Sequence, residues 1–322
     1  MTKYIVTGGK PLRGKVALHG AKNAGFKAMI AALLADSPST ICDLGLISEI
    51  DFAKKTISSL GGNVASLSDP HCLTIEPQNL NSFEISPELS IKSRFSPMYV
   101  GPLLAKFGRA ILPVPGGDVV IGRRPINRQL DGLQALGAKV EFRNGAYYFE
   151  SKNGLVGTNF RFHKNTHNGT EILIMAACRA KGITIIENAA LEPEIDDLIK
   201  FLNLMGEEIS RVAPRIIRVI GKENLSGAKH TIMKDRNEAV TYACASLATK
   251  GEIVVEGADP KVLEVFLEKV KEIGGNTQIK ENGISFRFEK TLTATDIVAA
   301  PYPAFMTDWQ PLWTTLMTQA EG

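Results

Sequence analysis

The chain repeats one structural pattern four times, and this repeat constrains its fold more than any other feature. Four segments end a helical pattern with an apolar residue and a glycine, and the four glycines are separated by 76, 69 and 68 residues. Spacing this regular is typical of an internal repeat. The four segments are Leu60-Gly61, Leu136-Gly137, Met205-Gly206 and Ile273-Gly274.

Each repeat contains two kinds of helix. The second helix is amphipathic, most clearly over residues 260–273, where Pro260 suits the first turn. The first helix is apolar nearly all round, which predicts that it is buried. These apolar helices are expected over residues 27–35, 101–107, 171–180 and 238–250.

Short strands complete each repeat. Runs rich in β-branched residues predict strands over 183–186 and 252–255. Alternating residues over 139–143 and 146–150, joined by Asn144-Gly145, predict a hairpin. Sheets and amphipathic helices wrapped around buried helices define an inside-out α/β barrel. A fifth repeat starts at Met306 and reaches only the end of its first helix.

Size and composition predict a protein of about two domains. The chain has 322 residues, and its 37 basic and 34 acidic side chains leave a net charge of only +3. This near balance argues against a nucleic-acid or membrane surface. The amino terminus lacks a signal-peptide pattern, and no segment has the roughly 18 apolar residues of a membrane span.

The four cysteines are scattered and form no CxxC pair, so we expect neither a zinc site nor a disulfide framework. This pattern favours a reducing cytoplasm. The cysteines are Cys42, Cys72, Cys178 and Cys244.

A glycine loop over residues 115–125 combines an acid with two adjacent arginines. Two glycines precede Asp118, and prolines stand at both ends of the loop, so it can bend at a defined place. Arg123 and Arg124 carry planar, permanently charged groups that suit phosphate or carboxylate oxygens. The loop is therefore suited to closing over an anion. The alternative is a hairpin turn with a solvated basic edge.

Several motifs occur in the order found in one family, and the chain resembles the UDP-N-acetylglucosamine 1-carboxyvinyltransferases, which are enolpyruvyl transferases, from Lys3 to Gly322. The family has six repeats in two inside-out α/β barrel domains, so the resemblance implies about three quarters of a member. The motifs are residues 20–24, 101–103, 115–118, 121–125, 185–189, 192–195, 234–236 and 303–308.

The resemblance also implies domain boundaries. Residues 22–229 would form a complete three-repeat domain with the glycine loop. Residues 1–21 and 230–322 would form a second domain that is truncated at its carboxyl end. The apolar helix over residues 311–319 would then be left uncovered.

The resemblance implies transfer of the enolpyruvyl group of phosphoenolpyruvate to the 3-hydroxyl of UDP-N-acetylglucosamine, with release of phosphate. This is a step of peptidoglycan precursor synthesis, and hence of cell wall biogenesis, cell shape and cell division. The reaction needs an acid, a base and cations, but no metal or organic cofactor. One alternative is the related transfer to shikimate 3-phosphate. Another is an inactive fragment that only binds nucleotide sugar.

Three residues receive catalytic roles through the resemblance. Asp118, where most members carry a cysteine, would be the general acid and assist phosphate release if burial raises its pKa. It should then resist alkylation by fosfomycin. Asp308 would take the proton from the sugar hydroxyl, and it also suits the cap of a helix over 309–319. Lys22, next to a helix amino terminus, would contact phosphoenolpyruvate.

The remaining assignments concern substrate binding. Lys22 and Asn23 would contact phosphoenolpyruvate and the sugar, and Arg124 would hold phosphoenolpyruvate. Asn127 replaces the usual aspartate, and His167, where many members carry serine, is expected to be a loop histidine. The other expected nucleotide contacts are Arg94, Pro125, Ile126, Asn127, Arg128, Asn168 and Gly169.

Overall fold

A computed structural model describes residues 3–114 and 126–322. Within these ranges the α-helices, in chain order, are α1 (Lys22–Ala31), α2 (Ser48–Ser59), α3 (Pro87–Lys92), α4 (Val100–Phe107), α5 (Asn127–Ala135), α6 (His167–Ala177), α7 (Pro193–Leu204), α8 (Arg236–Ala248), α9 (Glu264–Glu272) and α10 (Gln310–Met317). The strands are β1 (Arg13–Ala17), β2 (Ser39–Cys42), β3 (Asn63–Ser66), β4 (Leu73–Glu76), β5 (Arg109–Pro113), β6 (Lys139–Arg143), β7 (Ala146–Glu150), β8 (Asn159–Arg161), β9 (Ile183–Glu187), β10 (Glu208–Ala213), β11 (Ile216–Ile220), β12 (Lys229–Thr231), β13 (Glu252–Glu256), β14 (Asn276–Lys280) and β15 (Gly283–Arg287). In the described residues, short 3₁₀ helices cover Ala32–Leu34, Ser96–Tyr99 and Thr307–Trp309.

The chain divides into two compact units. One contains Met1–Ala21 and Lys234–Gly322, and the other contains Lys22–Met233. The division into two domains, residues 22–229 and residues 1–21 with 230–322, stays a prediction.

Four small sheets carry the strands of the described residues, and they share a common construction. The larger unit contains the sheets β12-β2-β4-β3, β5-β7-β6 and β10-β11-β9-β8, and the smaller unit contains β1-β13-β15-β14. Three of the sheets contain one parallel pair of strands, and their other strands pair antiparallel. The parallel pairs are β12 with β2, β8 with β9 and β1 with β13. The predicted hairpin is confirmed, because Arg143 pairs with Ala146 around Asn144-Gly145.

The apolar first helices of the larger unit are buried, as predicted, whereas only seven of the 13 residues of α8 in the smaller unit are buried. In the larger unit, α1 and α6 are almost completely buried and α4 is buried over its first five residues. Burying one large aliphatic side chain contributes about 1.5 to 3 kcal/mol, so these helices supply much of the stability of the unit. Helices α4 and α6 approach closely at Gly101, where a Cβ atom would lie 2.7 Å from the carbonyl oxygen of Ile172.

The repeated glycines end helices by adopting a left-handed backbone. Gly61, Gly137, Gly206 and Gly274 have φ angles of 95°, 95°, 106° and 88°. Glycine occupies this region without the steric cost that a Cβ imposes. The four apolar–glycine pairs that repeat in the sequence therefore mark the ends of helices.

Two helix predictions were wrong in detail. Helix α9 begins at Glu264, because residues 260–263 form turns, so Pro260 lies ahead of the helix. Helix α10 is not left uncovered, since Trp313 and Leu316 are 1% and 0% exposed. Phe266 packs on two indoles of this region, at ring-centroid distances of 5.9 Å from both Trp309 and Trp313.

The expectation that no disulfide forms was also wrong. Cys42 and Cys72 are joined by a disulfide, with a Cα–Cα distance of 4.1 Å. The antiparallel register that pairs Ile41 with Leu73 places the two cysteines opposite each other. Their separation of 30 residues in the sequence gave no sign of this pairing.

Candidate functional site

Helix α1 starts with the predicted pair Lys22 and Asn23. Lys22 is the first residue of the helix, where the helix dipole favours an anion. Its side chain is 38% exposed, and Nζ lies 3.3 Å from Oε1 of Glu49 on α2. An accessible ammonium group thus stands at the positive end of a buried helix.

The ammonium group of Lys22 helps to lower the pKa of Glu49. Partial burial would raise the pKa of its carboxyl, but the charge of Lys22 and hydrogen bonds, including one from the Ser48 hydroxyl, outweigh burial and lower the pKa. Glu49 is therefore ionised at neutral pH. An incoming phosphate has to compete with this carboxylate for Lys22.

Arg94 is connected to α1 through two aromatic rings. Its guanidinium carbon lies 4.9 Å from the centroid of the Phe95 ring, a cation–π geometry. The Phe95 ring lies 4.1 Å from that of Phe26 on α1. Arg94 therefore lies near α1, the helix that begins with Lys22 and Asn23.

The start of α5 carries three further predicted residues. Ile126 precedes the helix and is 9% exposed, whereas Asn127, its first residue, is exposed. Arg128 donates from Nη1 to the carbonyl oxygen of Asn165 at 3.3 Å. This contact brings the guanidinium group to the loop that leads into α6.

Helix α6 starts with a side-chain cap. The hydroxyl of Thr166 accepts a hydrogen bond from the backbone N–H of Gly169 at 3.3 Å. A Cβ atom at Gly169 would lie 2.3 Å from Cγ2 of Thr166, so the cap itself requires glycine at this position. Asn168 is half-buried beside it. Asn168 and Gly169 thus share one helix start with the loop that Arg128 contacts.

His167 has partners that the sequence analysis missed. The expectation of a loop histidine was wrong, because His167 is the first residue of α6. Its Nε2 lies 3.0 Å from Nζ of Lys27 and 3.2 Å from Oε1 of Glu171. Lys27 and Glu171 are 2% and 0% exposed. The available signal was a lysine and a glutamate within the parts of two helices that were predicted to be apolar and buried.

Asp308 lies in the smaller unit, in the 3₁₀ helix Thr307–Trp309, and its side chain is exposed. The idea that it caps the following helix was wrong. The residue that precedes α10 is Trp309, and neither the 3₁₀ helix nor α10 has a side-chain cap. The carboxylate is therefore not committed to capping either helix.

A second aspartate of this unit does act as a cap. Asp235 accepts hydrogen bonds from the backbone N–H groups of Asn237 and Glu238 at 2.7 and 3.2 Å. Arg236 beside it is 2% exposed and stacks on the Tyr302 ring at 4.8 Å. These contacts stabilise the start of α8.

Three predicted site residues, Asp118, Arg124 and Pro125, lie outside the described residues. In the described part of the larger unit, Arg94 is linked to α1 through two aromatic rings, and Lys27 of α1 contacts His167 at the start of α6. Arg128 links α5 to the loop before α6. Together they present cations and helix amino termini, which suit a ligand with several negative charges. No cluster of three or more His, Cys, Asp or Glu side chains suited to a metal occurs in residues 3–114 and 126–322. These ranges also contain no helix with the length and apolar character of a membrane span.

Two solved structures share the fold of this chain. An enolpyruvyl transferase from Streptomyces tendae, NikO, superposes with a TM-score of 0.86 at 19% identity, covering 98% of this chain and 74% of that one. The EPSP synthase of Acinetobacter baumannii superposes with a TM-score of 0.71 at 16% identity, covering 97% and 71%. The fold is thus that of the enolpyruvyl transferases, and the predicted fold class is confirmed.

Sequence comparison identifies the family. The model of the EPSP synthase (3-phosphoshikimate 1-carboxyvinyltransferase) family matches residues 6–322. A UDP-N-acetylglucosamine 1-carboxyvinyltransferase of Caldanaerobacter subterraneus is 39% identical over 322 residues, and one of Staphylococcus aureus is 37% identical over 323. Each alignment covers 100% of this chain and 76% of the relative. The chain belongs to the enolpyruvyl transferase family, as its motifs predicted.

Proposed function

We propose that this protein transfers the enolpyruvyl group of phosphoenolpyruvate to the 3-hydroxyl of UDP-N-acetylglucosamine and releases phosphate. The observation that carries the proposal is the alignment of the whole chain, at 37–39% identity, with relatives named for this reaction. The cations at the starts of α1 and α5, together with the amino terminus of α6, support it, because both substrates are anionic.

The reaction requires proton transfer at two places. The sugar hydroxyl loses a proton as its oxygen bonds to C2 of phosphoenolpyruvate, and C3 gains a proton. Loss of a C3 proton and of phosphate then restores the double bond. We assign the base at the hydroxyl to Asp308, whose exposed carboxylate suits proton abstraction. The general acid, which also assists phosphate release, is assigned to Asp118.

The anionic groups of the substrates are assigned to the cations of the larger unit. Lys22, Asn23 and Arg124 would bind phosphoenolpyruvate, with Lys22 and Asn23 also near the sugar. The nucleotide would contact Arg94, the start of α5 and the start of α6. The residues assigned to the nucleotide around the starts of α5 and α6 are Pro125, Ile126, Asn127, Arg128, Asn168 and Gly169.

The cellular role follows from the proposed product. We place the protein in peptidoglycan precursor synthesis, and through it in cell wall biogenesis, cell shape and cell division. We also place it in the cytoplasm, where both substrates are made. Thioredoxin and glutathione systems there would favour the dithiol form of Cys42 and Cys72.

Phosphate release tests the reaction and its main alternative together. The protein is mixed with phosphoenolpyruvate and either UDP-N-acetylglucosamine or shikimate 3-phosphate, and phosphate is measured over time. Release only with the nucleotide sugar supports the proposal, whereas release only with shikimate 3-phosphate contradicts it. Binding of nucleotide sugar without release from either mixture would favour a non-catalytic binder.

A matched pair of variants separates the role of Asp308 from a general charge effect. Asp308→Asn removes the base and should lower the rate of phosphate release at least about a hundredfold. Asp296→Asn removes the same charge elsewhere in the smaller unit and should leave the rate within about twofold. Equal activity of the two variants would contradict the assignment of Asp308.

A further inference from the structure

The disulfide between Cys42 and Cys72 has no part in the chemistry assigned above, yet it lies close in the chain to Glu49, which pairs with Lys22. Cys42 is the last residue of β2 and is half-buried, whereas Cys72 is buried. Exchange with a dithiol requires access to one sulfur of the bond, which the partly exposed Cys42 offers. Residues 43–49, here called the connecting segment, lead from the disulfide to Glu49.

The disulfide and hydrogen bonds between Leu44 and His71 hold the connecting segment. The backbone N–H of Leu44 donates to the carbonyl oxygen of His71 at 2.9 Å, and Nδ1 of His71 donates to the carbonyl oxygen of Leu44 at 2.8 Å. Cys72 follows His71, so the covalent bond and the hydrogen bonds join the same two short stretches of chain. Reduction removes the covalent bond from this set.

Asp43, the first residue of the connecting segment, has a left-handed backbone. Its φ angle is 63°, a region that is unfavourable for residues with a Cβ, although aspartate tolerates it better than most. Such a conformation persists where the surrounding structure holds it. A cavity of about 130 Å³ lies beside the segment, and its lining includes Leu44, Ile47, Ile50 and Pro70. The segment therefore has both a reason to relax and room to do so.

The connecting segment packs on the first turn of α1. A Cβ atom at Gly25 would lie 2.9 Å from Cδ2 of Leu44, so the Leu44 side chain rests directly on this turn. The same turn begins with Lys22, whose Nζ lies 3.3 Å from Oε1 of Glu49 at the far end of the segment. The disulfide thus holds a segment that contacts α1 at two places, one of which is Lys22.

We propose that Cys42 and Cys72 form a redox modification site that controls anion binding at Lys22. In the disulfide form, the connecting segment holds Glu49 against Lys22 and opposes the binding of phosphoenolpyruvate. In the dithiol form, the segment relaxes, Glu49 moves away and Lys22 is released to the anion. The inference rests on the proposed function and adds to it regulation of the same site by oxidation.

The modification is thiol–disulfide exchange with a dithiol. One thiolate of the reductant attacks a sulfur of the protein disulfide and forms a mixed disulfide, and the second thiol of the reductant then displaces the protein sulfur. The protein S–S bond breaks, two electrons and two protons convert Cys42 and Cys72 to thiols, and the reductant becomes a disulfide. Exchange with an oxidised dithiol reverses these steps.

Amide hydrogen exchange tests the release of the connecting segment without any ligand. Reduction with dithiothreitol should raise the exchange rate over residues 43–49 at least about threefold, whereas β13 and β15 of the smaller unit should not change. The Cys42→Ser/Cys72→Ser variant should show the faster exchange without reductant. Unchanged exchange over residues 43–49 after reduction would overturn the inference.

Titration calorimetry tests the effect on binding. Reduction should lower the Kd for phosphoenolpyruvate about threefold to fivefold, the value of a partly exposed ion pair, and Cys42→Ser/Cys72→Ser should bind like the reduced wild type. Glu49→Gln should bind equally well in both redox states, because the charge through which the disulfide acts is gone. Cys244→Ala is the matched control, since it removes a buried thiol from the smaller unit and should keep the full response to reduction.

The outcomes separate this inference from the proposed function. Equal affinity in the two redox states, or a full redox response that persists in Glu49→Gln, would overturn the inference alone. Weaker binding after reduction would do the same, and partial unfolding cannot imitate the expected result because it would weaken binding. A protein that binds no phosphoenolpyruvate in either state would overturn the proposed function, and the regulation of its site with it.

Discussion

Nζ of Lys22 at the start of α1 lies 3.3 Å from Oε1 of Glu49 in the first turn of α2. Both side chains are partly exposed, at 38% and 26%, so the pair contributes little to stability. It does, however, occupy the ammonium group that we assign to phosphoenolpyruvate. Glu49 therefore opposes the binding of the anion.

Removing this competing charge should tighten phosphoenolpyruvate binding. Glu49→Gln is expected to lower the Kd about threefold to fivefold, which corresponds to a partly exposed ion pair. Titration calorimetry at low ionic strength provides the measurement. Asp51→Asn is the matched control, because it removes the same charge from α2, where Asp51 pairs with Lys54 and not with Lys22. Weaker binding in Glu49→Gln would mean that Glu49 orients Lys22 productively.

The residue at position 118 should decide the response to fosfomycin. The wild type carries an aspartate there and should keep its intact mass after incubation with the compound, because a carboxylate is a poor nucleophile compared with a thiolate. Asp118→Cys should gain one covalent adduct. Cys178 and Cys244 are buried, so adducts at these positions are not expected. An adduct on the wild-type protein that maps to Asp118 would refute the assignment.

Much of the fold could be predicted because the sequence signals were local. Gly137 and the turn Asn144-Gly145 fixed a helix end and a hairpin through backbone preferences alone. The apolar helices were recognisable because they lack a polar face. Helix α9 starts later than predicted, since Pro260 suits a turn as well as the first turn of a helix.

The relationships across the fold could not be predicted in the same way. The Cys42–Cys72 contact depends on the register of β2 and β4, which no short motif encodes. The cluster of Lys27, His167 and Glu171 requires α1 to pack beside α6. In the sequence, Lys27 is 140 residues from His167 and 144 residues from Glu171. The motifs supplied candidate site residues, while the contacts between them needed three-dimensional packing.

Glu207 should make stability fall as the pH rises. Burial raises the pKa of its carboxyl from 4.5 to about 8, despite opposing effects that include the charges of Lys222 and Arg179. Between these values the unfolded chain releases a proton that the folded protein keeps. The contribution of Glu207 to the unfolding free energy then decreases by about 1.4 kcal/mol per pH unit and levels off above pH 8.

Glu207→Gln removes this dependence. The unfolding free energy of the variant minus that of the wild type should become more positive from pH 5 to pH 8 and then stay constant. Urea unfolding across this range provides both values. A difference that does not change with pH would contradict the raised pKa of Glu207.

The disulfide between Cys42 and Cys72 should stabilise the larger unit. Closing a loop with a sequence separation of 30 residues restricts the unfolded chain, and the loop-entropy model gives about 3 to 4 kcal/mol. Urea unfolding of the oxidised protein should show this loss after addition of dithiothreitol. The Cys42→Ser/Cys72→Ser variant should not respond to the reductant. Four reactive thiols in the oxidised, denatured protein, in place of two, would show that the bond does not form.

The close approach of α4 and α6 should make Gly101 intolerant of a methyl group. A Cβ atom there would meet the Ile172 carbonyl oxygen at 2.7 Å, and backbone cannot move aside as a side-chain end can. We expect Gly101→Ala to lower the unfolding free energy by about 1 to 3 kcal/mol, the usual cost of overpacking.

Gly132 on α5 provides the matched control, because it faces the same helix α6. A Cβ atom at Gly132 would meet side-chain atoms and no backbone: the two Leu173 methyl groups, both at 3.2 Å, and Cε1 of Phe160 at 3.4 Å. The methyl groups can shift. Replacing helical glycine with alanine also gains roughly 0.5 to 1 kcal/mol through reduced backbone entropy. Gly132→Ala should therefore change the unfolding free energy by less than about 1 kcal/mol. Equal destabilisation by the two substitutions in urea unfolding would show that backbone contact does not set the α4–α6 distance.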